Sequence, residues 1–156
     1  MKIKLITIGR EEEQAFESLF QRYVKRLSHY NTFEPIHIKP LKSATSSEQV
    51  KADAALLLKK VTAQDTLILL DEKGKEMNSE EFAAFMMSKL NTSTRTLIFA
   101  IGGAYGFDQT VYERSNGLLS LSRFTFPHQL AKVVFAEQLY RAFTLIRNEK
   151  YHHGNR

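Results

Sequence analysis

Apolar positions along the chain follow two alternating rhythms. Residues 2–9 have a period of two, with Ile3, Leu5 and Thr7 on one face and Lys4, Ile6 and Ile8 on the other. Apolar side chains on much of both faces predict a strand inside a sheet. The period then lengthens. Ala15, Phe16, Leu19, Phe20, Tyr23, Val24 and Leu27 recur at helical spacing, with Glu11, Glu12 and Glu13 where a helix dipole favours negative charge. Residues 33–39 predict a short strand with Ile36 and Ile38 inward, held to a sheet edge or end by Pro35 and Pro40. After a polar stretch, Thr45 and Glu48 have capping-box spacing ahead of a helix through Val50, Ala54, Leu57, Leu58 and Val61. Residues 66–70 predict a buried strand ending at Asp71, and residues 72–77 a polar turn around Gly74. Asn78 and Glu81 cap the next helix, whose stripe is Phe82, Phe85, Met86 and Leu90. A second buried strand, 95–101, closes at Gly102-Gly103. A short helix over 108–115 and a short strand over 117–122 follow. Pro127 then opens a long final helix at a favoured first-turn position.

Strict alternation of strand and helix predicts one α/β domain over residues 1–156, a mainly parallel sheet covered by helices. No repeat, low-complexity segment or linker interrupts it. Ligands of such sheets bind beyond the carboxyl ends of the strands. That directs attention to Leu70-Asp71 and Ile101-Gly102.

Composition narrows the setting. The chain has 156 residues, 43% of them hydrophobic, which is enough for a sizeable core. No stretch approaches the roughly 20 apolar residues of a membrane span. A first strand beginning at Lys2 leaves no room for a leader, and no membrane partner is expected; the cytoplasm is the expected compartment. Cysteine is absent, which excludes disulfides and thiolate metal sites. With 22 Lys and Arg against 17 Asp and Glu, the net charge is +5. That balance favours polyanions but does not demand them. The end of the chain is more pointed: Arg147, Lys150, Arg156, His152 and His153 stand against Glu149 alone. A basic, aromatic tail suits phosphates and bases.

The segment Gly102-Gly103-Ala104-Tyr105-Gly106 lacks the spacing of a dinucleotide fingerprint and the Gly-Lys-Ser/Thr of a phosphate loop. It fits either close approach to a ligand or a plain tight turn. His128, at the start of the last helix, is placed to act as acid, base or donor, or else to cap and pack. That helix is apolar on nearly every face from Leu130 to Ile146, so a second subunit is a natural cover. Glu137 and Arg141 lie one turn apart within it. The pair is either catalytic or fixes the register of a dimer. His152 and His153 are adjacent, not at helical ligand spacing, and no acidic cluster joins them, so no metal is expected.

Several blocks occur in order along the whole chain: Met1-Lys2-Ile3; Leu69-Leu70-Asp71 with Gly74-Lys75; Ile101-Gly102-Gly103 with Gly106; Ser120-Leu121-Ser122; Thr125-Phe126-Pro127-His128; Glu137-Gln138-Leu139-Tyr140-Arg141-Ala142; and Tyr151-His152. With them the chain resembles the ribosomal large-subunit methyltransferase H family, within the SPOUT group. The resemblance implies a SPOUT-type, mainly parallel sheet with helices on both faces and a deep C-terminal trefoil knot. It also implies a homodimer, S-adenosyl-L-methionine as methyl donor, and N3 of a pseudouridine in helix 69 of 23S ribosomal RNA as acceptor. By position, the donor would be held by Leu70, Gly102, Leu121, Ser122, Arg123, Phe124, Thr125 and Phe126. His128, Glu137, Arg141, Tyr151 and His152, the last two from either subunit, would orient the ring and manage its proton. Assembled ribosome, in the large subunit or whole, is the expected substrate, since so small a chain carries no separate RNA-binding domain. Two departures stand out: Ala104-Tyr105 in the glycine turn and the extra Gly154-Asn155-Arg156. Rival readings are a knotted transfer-RNA methyltransferase, a non-catalytic RNA-binding or assembly factor with this fold, and a generic nucleotide-binding domain.

Overall fold

The computed structural model describes residues 1–10 and 13–153. Five strands and five helices alternate: β1 (Lys2–Ile8), α1 (Gln14–Leu27), β2 (Thr32–Ile38), α2 (Ser46–Leu58), β3 (Thr66–Glu76), α3 (Ser79–Leu90), β4 (Thr96–Ile101), α4 (Gln109–Arg114), β5 (Gly117–Ser120) and α5 (His128–Ile146). A 3₁₀ turn, Lys150–His153, follows. Every pairing is parallel and the order is β2-β1-β4-β3-β5. β1 is therefore interior, as its two apolar faces predict, and the proline-bearing β2 is an edge. Of the acidic run expected at the start of α1, Glu11 and Glu12 lie outside the described residues.

The period-two pattern sorts the strands' side chains into two cores. Ile3, Leu5, Ile68, Leu97, Phe99 and Ile101 face α1, α3 and α5, and the Phe99 and Phe135 rings lie 4.6 Å apart between centroids. Ile6, Ile8, Leu67, Leu69, Ile98 and Ala100 face α2 and α4 through Ala54, Leu57 and Val111. α5 packs between α1 and α3. Its Lys132 is buried, reaches Glu17 of α1 at 3.1 Å and lies 4.2 Å from the Phe20 ring centroid. A buried lysine costs stability unless paired, so this contact ties the two helices together.

Local chemistry sets the element ends. Asn78 and Glu81 form both bonds of a capping box, whereas at α2 Thr45 accepts from the Glu48 N–H at 3.1 Å. Pro127 caps α5 from one residue outside, not from within its first turn. β5 stops at Ser120, two residues short of the expected end. There the Ser120 hydroxyl donates to the Ser122 carbonyl at 3.0 Å, and the Phe124 N–H donates to the Ser122 hydroxyl, which turns the chain. β3 runs beyond the expected turn. It pairs with β5 through Leu70, breaks, and resumes at Lys75, so that Leu119 pairs with both Leu70 and Lys75. Gly74 lies so close to β5 that a Cβ there would fall 2.5 Å from the Leu119 main chain. No other residue type fits that crossing.

Candidate active site

The carboxyl ends of β3, β4 and β5 converge on a cleft of about 550 Å³. Small-molecule and cofactor sites span about 300–1,000 Å³, so the size suits a nucleoside-like ligand. Each wall follows from a strand ending. β3 brings Leu70 and Asp71, β4 brings Ile101 and Gly102, and the loop after β5 brings Leu121, Ser122, Phe124, Thr125 and Phe126. The glycine segment is a tight turn placed at the mouth of the cleft. Gly106 returns its N–H to the Gly103 carbonyl at 3.1 Å and sits at φ +76, a tight turn, and the same turn lines the cleft.

Seven of the eight residues expected to hold the donor therefore border one cleft. Arg123 is the exception. Its side chain is 87% exposed and turns outward to pair with Glu76 at 2.8 Å, while Ser122 and Phe124 on either side line the wall.

His128 lines the cleft from the first residue of α5. Its Nδ1 lies 3.3 Å from the Ile8 carbonyl oxygen. A carbonyl only accepts, so in the neutral ring this contact puts the proton on Nδ1 and leaves a lone pair on Nε2. The other expected catalytic residues gather elsewhere. Glu137 accepts from Arg141 Nε at 3.0 Å and from the Tyr151 hydroxyl at 3.2 Å, and the Arg141 guanidinium lies 4.9 Å from the Tyr151 ring centroid. Glu137 holds the Arg141 guanidinium above its ordinary pKa, and burial pushes the Tyr151 hydroxyl up. Nine residues separate His128 from Glu137, which on a helix is about 13 Å along and half a turn around. None of Glu137, Arg141 and Tyr151 lines the cleft. The His152 side chain and residues 154–156, the unusual end of the tail, lie outside the described residues.

The sequence reading missed one partner in the cleft. The Tyr112 hydroxyl donates to Asp71 at 2.5 Å, and Asp71 also accepts from the Lys73 N–H at 2.8 Å. Burial, then the bond to Asp71, pushes the Tyr112 hydroxyl up to about 12. The two residues are 41 positions apart, so only the fold joins them.

Comparison with known proteins speaks to the same architecture. The family model described as a predicted SPOUT methyltransferase matches residues 1–152. The chain belongs to this family of methyltransferases. A ribosomal RNA large subunit methyltransferase H from Flavobacterium johnsoniae is 45% identical, covering 98% of this chain and 99% of that protein. Relatives of the same description from Cytophaga hutchinsonii and Parabacteroides distasonis are 44% and 41% identical, each again over 98% of this chain. A solved structure described as a hypothetical protein superposes with a TM-score of 0.54 at 13% identity, covering 93% of this chain and 81% of that one. At that identity the likeness concerns the fold alone. Among the described residues no helix is long and apolar enough to cross a membrane, and no three His, Cys, Asp or Glu gather as a metal would require.

Proposed function

We propose that this SPOUT methyltransferase acts as a homodimer in the cytoplasm and methylates N3 of a pseudouridine in helix 69 of 23S ribosomal RNA, on the assembled large subunit or whole ribosome. What carries the reading is the convergence of three strand-end loops on one cleft in a chain over 40% identical, end to end, to ribosomal RNA large subunit methyltransferases.

The cleft fits S-adenosylmethionine in size and chemistry. Leu70, Ile101, Leu121 and Phe126 offer apolar surface to an adenine ring, Gly102 and the 121–126 loop offer main-chain groups, and Asp71 and Glu72 offer negative charge to a cation. When bound, the donor supplies a sulfonium methyl, which the ring nitrogen takes as the carbon–sulfur bond breaks. This chain's own residues then have two tasks. The ring must be held in line, and positioning of that kind is worth several kcal/mol of barrier. The N3 proton must also be accepted and the ring anion steadied. The Nε2 lone pair of His128 meets the first half of that need. Glu137, Arg141, Tyr151 and His152 of the partner subunit meet the rest, because within one chain Glu137, Arg141 and Tyr151 stand away from the cleft. The threaded C-terminus belongs to the same proposal. The double pairing of Leu119 and the close crossing at Gly74 support it, since both wrap β3 around the end of β5.

The test is transfer of isotopic methyl to ribosomes, to large subunits and to protein-free RNA from cells lacking the modification, with the product mapped by mass spectrometry. The expected result is a single methyl on N3 of a helix 69 pseudouridine, placed faster on assembled particles. Labelling of transfer RNA instead would overturn the substrate. Failure to bind S-adenosylmethionine in a calorimetric titration would make the chain a non-catalytic factor.

A further inference from the structure

A second cavity, about 720 Å³, opens beside the cofactor cleft beyond the ends of β1 and β2. The two share Gly103, Ala104, Tyr105 and His128, so they adjoin at one turn and one imidazole. Three features of this cavity are unused by the reading above. Asp53 of α2 lines it and is only 4% exposed. Its Oδ1 accepts from Gln49 Nε2 at 2.8 Å, while its Oδ2 rests against Gly103, where a Cβ would fall 2.5 Å away. Among the described residues nothing donates to Oδ2. A buried carboxyl oxygen without a donor is costly, and such a group marks a place where a donor arrives. Tyr105, 60% exposed, stands on the shared turn. Exposed aromatic rings at an RNA-facing mouth stack unpaired bases. Arg10 and Lys42 add positive charge to the lining, suited to flanking phosphates.

We infer that this second cavity receives the acceptor ring of the RNA, that Tyr105 stacks on it, and that Asp53 Oδ2 accepts a ring N–H. The inference rests on the methyltransferase reading above and deepens it by naming where the target base sits. A pyrimidine-dione that carries ring N–H groups is the ligand class a lone acceptor selects. A dione ring seated there with one N–H on Asp53 keeps its other ring nitrogen for the donor cleft, which adjoins at His128 and the Gly103–Tyr105 turn.

Asp53→Asn tests it. Gln49 keeps Oδ1 occupied, so the new amide presents N–H where the ring N–H must go, donor against donor. The expected outcome is a fall in kcat/KM for ribosomal substrate of about ten- to a hundredfold, the range for losing a hydrogen bond to a charged group. S-adenosylmethionine affinity by calorimetry should stay within about twofold, because Asp53 itself does not line the donor cleft. Tyr105→Ala, on an exposed residue whose loss leaves folding intact, should raise KM for the RNA by about tenfold, as loss of one stacking partner does. It also decides the matter if the Asp53 variant fails to fold. Wild-type rates in a folded Asp53→Asn variant, or in Tyr105→Ala, would overturn the inference while leaving the enzyme reading intact. Absence of methyl transfer by the wild-type chain itself would overturn both.

Discussion

The two ends of α5 are built in opposite ways. At its start, His128 follows a proline cap that makes no side-chain bond, and the imidazole borders two cavities. Nine residues on, Glu137, Arg141 and Tyr151 are already bonded to one another, half-buried, and closed in by Tyr140, whose ring meets Tyr151 at 4.7 Å. One end waits for a ligand, and the other satisfies itself. The contrast teaches that one helix can offer an open imidazole at one end and a self-satisfied ionic cluster at the other. In the proposed homodimer, the cluster would act on chemistry when a second copy carries it to a neighbouring cleft.

The strongest way to break this comparison is to take the two ends apart in different chains. Gly102→Val disables the donor cleft, and Arg141→Ala disables the cluster, so each homodimer should lose methyl transfer by at least about a hundredfold. Random mixing of the two should restore about a quarter of wild-type activity, because half of the dimers then hold one intact composite site. No recovery on mixing would place both ends in the same subunit's site.

Stability should separate the ends next. Arg141→Ala leaves Glu137 half-buried with its main partner gone, at a cost of about 2–3 kcal/mol in denaturant unfolding. His128→Ala gives up one long hydrogen bond and should cost about 1 kcal/mol or less. Equal losses would dissolve the distinction between an open and a closed end.

A smaller effect concerns the cleft floor. Tyr112→Phe removes the donor to Asp71 and should weaken S-adenosylmethionine binding by about three- to tenfold, with a loss near 1 kcal/mol in stability. Because folding raises the Tyr112 hydroxyl from 10.0 to about 12, its contribution is full below pH 10 and disappears as pH rises through about 12. The stabilities of Tyr112→Phe and wild type should therefore converge at the alkaline end of that window.

The smallest effect serves as a control far from both ends. Glu34 on edge strand β2 pairs with Lys2, and the bond to that ammonium lowers its pKa below 4.5. Its contribution is present above 4.5 and is lost as pH falls through the lowered value. The pair is well exposed, so screening holds the loss in Glu34→Gln to about 0.5 kcal/mol or less at neutral pH, vanishing in acid. Methyl transfer should not change.

How far the chain was readable follows from the range of the interactions involved. Strand faces, caps and the interior place of β1 depend on neighbours within a few residues, and the spacing of Ile3, Leu5, Ile6 and Ile8 declares them. The extension of β3 to Glu76 does not, because its second pairing is with Lys75 opposite Leu119, 44 residues on, and a polar stretch such as Glu72-Lys73-Gly74-Lys75 reads locally as a turn. The cleft was legible through strand ends and the resemblance together, including His128. Arg123 belongs to the same loop, but sequence position does not say which way its side chain leaves, and the pairing with Glu76 turns it outward. Tyr112 and Asp53 escaped for the same reason from the other side. Each sits on a helix facing the sheet, and only the fold brings them to Asp71 and Gly103.

The sheet order carries a consequence for how the protein is made. β1 can join β2 as soon as residue 38 has left the ribosome, but its other edge waits for β4, which ends at Ile101. At about 5–20 residues per second that wait lasts several seconds, with the Ile3, Leu5, Ile6 and Ile8 backbone open to any passing strand. Newborn chains should therefore depend on holding chaperones most heavily while the stretch between β2 and β4 is still emerging.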